Sequence, residues 1–144
     1  MITNLSIVSV FVKDVDASKR FYTEVLGFEA GDDVQLGDGY RWCTVHPPNQ
    51  PEIHVNLSVP GPPNSPAMIE AINKALDEGT MHGLGLNVDD CNKTYEELVA
   101  KGVEFMQPPS ERPYGTEALC RDNSGNWLVL VEPNNRVVTA ADFE

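Results

Sequence analysis

The side chains able to do acid–base, nucleophilic or metal chemistry are few in this chain and do not cluster along it. The histidines are His46, His54 and His82, and the cysteines are Cys43, Cys91 and Cys120. The cysteines share no C-x-x-C spacing and lie near no sequence partner, so neither a zinc knuckle nor a disulfide framework is expected. Asp32, Asp33 and Asp38 fall in segments that read as turns or sheet edges and are expected to be solvated. The stretch "GLG" at 83–85 belongs to a strand rather than to the start of a helix, so it is no phosphate cradle. What remains is the chemistry of binding: two tryptophans, Trp42 and Trp127, and a set of polar residues that strand alternation brings to the same faces.

The chain that must position these groups has 144 residues, enough for one domain with a real core. Its formal net charge of −12 argues against nucleic acid and anionic membranes as partners, and reads most simply as solubility. No apolar run is long enough to span a bilayer. The opening "MITNLSIVSVFVKD" lacks a basic start and a small-residue cleavage site. With sparse, unpaired cysteines, the expected setting is the reducing cytoplasm.

Hydrophobic periodicity divides the chain into elements. "SIVSVFV" reads as a strand, followed by a helix capped by Asp16 or by the nearby Asp14. Ala17, Phe21 and Val25 mark its inner face, and Gly27 ends it. "FEAGDDVQL" is a weak exposed strand, and "RWCTVHP" and "EIHVNLSV" are stronger ones flanking the turn "PPNQP". Ser65 and Pro66 begin a linking helix that carries Met68, Ile69, Ile72 and Leu76. A second pass follows: strand "HGLGLNVDD", a helix over 91–101 with Tyr95, Leu98 and Val99 inward, then strands "VEFMQ", "TEALCRD" and "NWLVLVEP". The tail "NNRVVTAADFE" is polar and expected to lie on the surface or fray.

The two passes are copies. Val12 and Asp14 correspond to Val88 and Asp90, an offset of 76, and after the helix Gly27 corresponds to Gly102, an offset of 75. The expected fold is therefore α+β: two βαβββ modules whose curved mixed sheets enclose a cavity. Module one covers about 5–59, the linking helix about 65–78 and module two about 81–133. Each module covers one sheet face with its own helix and leaves the other face open.

Alternation then selects the open-face residues. In the first strand they are Ile7, Ser9 and Phe11. In "RWCTVH" they are Trp42, Thr44 and His46, with Cys43 and Val45 toward the helix. In "EIHVNLS" they are Glu52, His54, Asn56 and Ser58. In the second module they are Gly83, Gly85 and Asn87, then Glu117, Leu119 and Arg121 (with Cys120 toward the helix), then Trp127, Val129 and Val131. Apolar and aromatic area interleaved with a few hydrogen-bonding groups is the usual make-up of a small-molecule site. Each Trp alone could equally be core packing, but one on the open face of each module points to a planar ligand. Arg112, Pro113, Tyr114 and Gly115 form a candidate loop at the cavity mouth, shaped at least by its Pro and Gly.

The stretches "VFVKDVDASKRFYTEVLGFE", "LNVDDCNKTYEELVAKGVEF" and "RDNSGNWLVLVEP" resemble the vicinal oxygen chelate superfamily of glyoxalase I, extradiol dioxygenases and bleomycin-resistance proteins, over roughly residues 5–133. The resemblance implies the paired βαβββ fold and frequent dimerisation. It also implies divalent-metal ligands at four positions, which in this chain are Ile7, His54, Gly83 and Val129. Three of those residues cannot ligate; His82 is one residue out of register, and a one-residue slip turns a side chain to the other face. The expectation is thus a metal-free, cofactor-free homodimer that binds a hydrophobic aromatic small molecule such as an antibiotic, as drug-sequestering members of that superfamily do. The alternatives are an enzyme, glyoxalase-like or dioxygenase-like with an atypical metal site or using His54 and Glu117 for acid–base work, and a metabolite-binding regulatory domain.

Overall fold

The structure, a computed structural model, describes all 144 residues. The chain forms two compact units, Met1–Met81 with Asn123–Gly125, and His82–Asp122 with Asn126–Glu144. Each is built on a four-stranded sheet, ordered β1-β4-β3-β2 in the first and β5-β8-β7-β6 in the second. The second order is the first with each strand replaced by its copy, as an internal repeat requires.

In the first unit the strands are β1 (Ile7–Phe11), β2 (Glu29–Gln35), β3 (Arg41–His46) and β4 (His54–Ser58). β1 runs parallel to β4, while β4–β3 and β3–β2 are antiparallel. Helix α1 (Val15–Arg20) continues as a π-helical turn over Phe21–Val25 and packs on β3 and β4. The side chain that caps α1 is that of Asp14, which accepts from Ala17 N–H at 2.7 Å. Asp16 lies inside the first turn and pairs with Arg41 instead. The expected inner face of Ala17, Phe21 and Val25 is also rotated by one residue: Ser18 and Tyr22, four apart, are the fully buried residues. Tyr22 meets Phe28 edge to face at 5.4 Å. Around them Val10, Val12, Cys43, Val45, Val55 and Leu57 form the core, which is the helix-facing half of the alternation.

Helix α2 (Pro66–Glu78) is capped by Ser65 with Pro at its first position, and it buries Ile72 and Leu76 while Met68 stays exposed. The turn Asn123–Gly125 belongs to this unit as well. Ser124 Oγ accepts from Lys13 N–H at 3.0 Å, and it shares a hydrogen bond with Ser18 Oγ.

In the second unit β5 (Met81–Asn87), α3 (Cys91–Ala100), β6 (Phe105–Arg112), β7 (Gly115–Arg121) and β8 (Asn126–Pro133) repeat the pattern. Asp90 caps α3 as Asp14 caps α1, 76 residues apart in agreement with the offset. Glu132 adds a second acceptor, to Cys91 N–H at 2.9 Å. Leu98 is buried and Tyr95 packs edge to face on Phe105, but Val99 is exposed, one residue off the helix stripe. β6 is longer than "VEFMQ" suggests. It runs through both prolines to Arg112, with two register shifts against β7, because an edge strand tolerates proline at bulges. The expected loop at 112–115 is accordingly a tight turn of Pro113 and Tyr114 inside a hairpin. The tail ends in a short 3-10 turn, Ala140–Phe143, and Phe143 stacks on Tyr114 at 6.4 Å.

Candidate functional site

Val10, Val55 and Leu57 are buried in the core of the first unit, where α1 packs on β3 and β4, so the alternate half of each strand falls on the other face. Strand register brings that half into rows. Ile7 pairs with His54, Ser9 with Asn56 and Phe11 with Ser58, and Asn56 also pairs with Thr44 on β3. Trp42 and His46 complete the face, opposite Val34 and Glu29 on β2. Glu52 sits in the turn before β4 and is exposed.

An irregularity in β2 adds a residue that strand alternation alone does not supply. Between Ala30 and Asp33 the register against β3 slips, so that Gly31 and Asp32 together oppose Thr44. Such a bulge re-aims side chains. Asp32 N–H donates to Thr44 Oγ1 at 2.9 Å, and the Asp32 carboxylate accepts from the Trp42 indole Nε1 at 3.1 Å through Oδ2. The same Oδ2 lies 4.0 Å from His54 Nδ1, and the imidazole and indole rings stand 6.4 Å apart at 44°. Asp32 is therefore not a merely solvated turn residue. The signal in sequence was the glycine beside paired acids within a strand, a common mark of a bulge.

Asp33, its neighbour, goes to the opposite side. It takes a two-pronged bond from Arg41, with Nε and Nη2 each at 2.9 Å, and a third from Lys19 at 2.9 Å, while Arg41 also reaches Asp16 at 2.8 Å. Arg41 first, and then Lys19, hold the Asp33 carboxyl well below the usual carboxylate range. This cluster ties β2 and β3 to α1.

Two polar groups on the open face are deeply buried. Thr44 is 1 % exposed and Asn56 6 %, and the Asn56 side-chain oxygen has no hydrogen-bond partner. His46 is held by the carbonyl of Pro47 at 2.9 Å and stands 3.7 Å from Glu29.

In the second unit Ala118, Cys120, Leu128 and Leu130 are buried. The alternate set pairs across β7 and β8 as Arg121 with Trp127, Leu119 with Val129 and Glu117 with Val131. Trp127 is 39 % exposed and Trp42 half-buried, so neither indole is a core residue. Asn87 and Gly85 are exposed on β5. The hairpin turn brings Tyr114 to Glu117, where its hydroxyl donates to Oε2 at 2.5 Å and its phenol is pushed up by that carboxylate. Arg112 stands 3.6 Å from the other oxygen of Glu117 and donates to Gln107 at 3.0 Å. Arg121 is taken by Glu104 at 2.7 Å. All three cysteines are free and fully buried. Burial raises each thiol, and that of Cys120 to about 12, so none is a poised nucleophile.

The donor set does not fit the divalent metal that the resemblance implies. Ile7, the cross-strand partner of His54, has no ligating atom, and neither does Val129. At Gly83 any Cβ would lie 2.2 Å from the Trp127 carbonyl oxygen, so no ligand can be built there without moving β8. No three His, Cys, Asp or Glu side chains are grouped so as to hold a metal ion.

The model for the Glyoxalase/Bleomycin resistance protein/Dioxygenase superfamily matches residues 4–130. The protein YurT of Bacillus subtilis is 37 % identical over 130 residues, covering 88 % of this chain and 96 % of YurT. Among solved structures, UcmS2 superposes with a TM-score of 0.83 at 41 % identity, covering 92 % of this chain and 99 % of that one. TnmS3, an antibiotic binding protein from Streptomyces sp. CB03234, superposes with a TM-score of 0.74 at 28 % identity, covering 92 % and 98 %. No helix of the chain is long and apolar enough to cross a membrane.

Proposed function

The chain belongs to the glyoxalase/bleomycin resistance protein/dioxygenase superfamily, and on that premise we propose that it is a small-molecule binding protein that works without a metal. Its ligand is a hydrophobic, planar aromatic compound of the antibiotic type. The observation that carries this reading is the indole of Trp42, half-buried on the open face of the first sheet and steadied through its Nε1 by Asp32, with the His54 ring beside it. A fixed aromatic surface flanked by hydrogen-bonding groups suits a flat ligand. The similarity to TnmS3 supports an antibiotic as the ligand class.

Two further points belong to the same reading. Three buried free thiols support a reducing, cytoplasmic setting. Superfamily membership supports a homodimer, to be checked by sedimentation, where a mass of 15.8 kDa at all concentrations would refute it.

The deciding experiment is calorimetric titration of the purified, chelator-washed protein with planar polycyclic compounds, with elemental analysis of the same sample. Saturable binding without stoichiometric metal is the expected result. Binding that requires one metal per chain, and is lost in His54→Ala, would overturn the metal-free reading.

A further inference from the structure

Resting on the reading of the first unit's open face as a planar-ligand site, we propose that this face selects ligands that are positively charged at one edge, and that Asp32 is the residue that makes the selection. The bulge places its carboxylate at the rim of the Trp42 indole, where only Oδ2 is engaged. No protein donor reaches Oδ1, and the side chain is 56 % exposed. A ring laid on the indole would bring its own edge substituent to that oxygen.

The lysines of the unit and Arg41 are held in ion pairs with other carboxylates. Lys19 and Arg41 are locked into the Asp33 and Asp16 cluster on the helix side, Lys13 pairs with Asp77, Lys74 with Glu78, and Arg20 belongs to α1. Of the side chains assigned to the open face, His46 and His54 are the basic ones, and His46 is already bound to its neighbours. Two acceptors on this face have no protein donor. Besides Asp32 Oδ1 there is the Asn56 side-chain oxygen, buried on the same face with no donor. A cation on this face gains from the indole π-face as well as from the carboxylate. Stacking also strips water from one side of the ion pair, which strengthens it over a freely solvated pair. The net charge of −12 adds a long-range attraction for cations.

The test compares two tricyclic probes by calorimetry at low and moderate salt: 9-aminoacridine, a cation at neutral pH, and neutral 2-(hydroxymethyl)anthraquinone. The unmodified protein is expected to bind the cation about tenfold more tightly, with the preference shrinking as salt rises. Asp32→Asn keeps an acceptor for the indole and is expected to remove most of that preference by weakening the cation alone. Asp38→Asn removes the same charge from the exposed turn Gly37–Gly39 and is expected to change it less than twofold. Equal losses in the two variants would assign the preference to the overall field and overturn the role of Asp32. Equal affinity of the unmodified protein for both probes would overturn the inference while leaving the planar-ligand reading intact, and this arm does not depend on any variant folding. Absence of binding by either probe would refute the planar-ligand reading itself, and the inference with it.

Discussion

Gly31 and Thr44 face each other across the β2–β3 bulge so closely that a Cβ on Gly31 would lie 2.4 Å from Thr44 Oγ1. The contact exists because the Thr44 hydroxyl turns to accept the Asp32 N–H, filling the space a side chain would need. Gly31→Ala is therefore expected to cost about 1–3 kcal/mol through local overpacking. It should also release Asp32 from the Trp42 indole. A thermal melt reads the first effect, and a change in tryptophan emission reads the second. An unchanged melt would show that the bulge relaxes freely.

The two tryptophans give separable outcomes, one in each unit. A buried aromatic truncated to alanine costs about 3–5 kcal/mol. Because Trp42 and Trp127 stand outside the core, Trp42→Ala and Trp127→Ala are expected to melt with clearly smaller losses. Under the planar-ligand reading, Trp42→Ala should weaken binding of a polycyclic ligand by roughly tenfold, the upper end of a stacking contribution. A collapsed melt with unchanged affinity in the folded fraction would make Trp42 a structural residue only.

The thiols should be silent. Cys43, Cys91 and Cys120 are all buried, and their raised ionisation leaves little thiolate at neutral pH. A disulfide reagent such as Ellman's is expected to label none of them rapidly in the native protein and all three in denaturant. Rapid labelling of one thiol in native buffer would reveal local opening around that residue.

Acid should loosen the β2–β3 edge in a defined direction. The Asp33 carboxyl is held below its ordinary range by Arg41 and Lys19, so the folded state binds its proton less readily than the unfolded chain does. Its contribution is complete above the ordinary carboxylate range and is lost as pH falls through that range toward the folded value. The stability gap between the unmodified protein and Asp33→Asn is thus expected to be largest near neutrality and to narrow progressively as pH falls below about 4, the ordinary carboxylate value. Melts of both proteins between pH 7 and pH 2 provide the measurement. A gap independent of pH would mean that the ion cluster contributes by packing alone.

Much of the architecture is legible in the residues themselves. Period-two alternation marks which half of each strand meets the helix, and the burial of Cys43, Val45, Cys120 and Leu128 follows it. The repeat offset aligns Asp14 with Asp90 as caps, and Gly27 with Gly102 at the helix ends, because these features depend on local backbone chemistry. Ile7 and Gly83 at the ligand positions already argue against the usual metal, since no folding can create a donor where the side chain has none.

What only the tertiary structure decided are features that arise between elements. The first helix buries Ser18 and Tyr22 rather than Ala17 and Phe21, a choice of phase that its packing on the sheet makes. β6 extends through Pro108 and Pro109 because its partner strand accommodates two slips in register. Above all, Asp32 and Asp33 are adjacent acids with opposite fates, one at the rim of an indole and one locked to an arginine and a lysine. Which is which depends on where β2 bulges against β3. That is a property of two paired strands, set by the space at Gly31 and the hydroxyl of Thr44, and no single run of residues contains it.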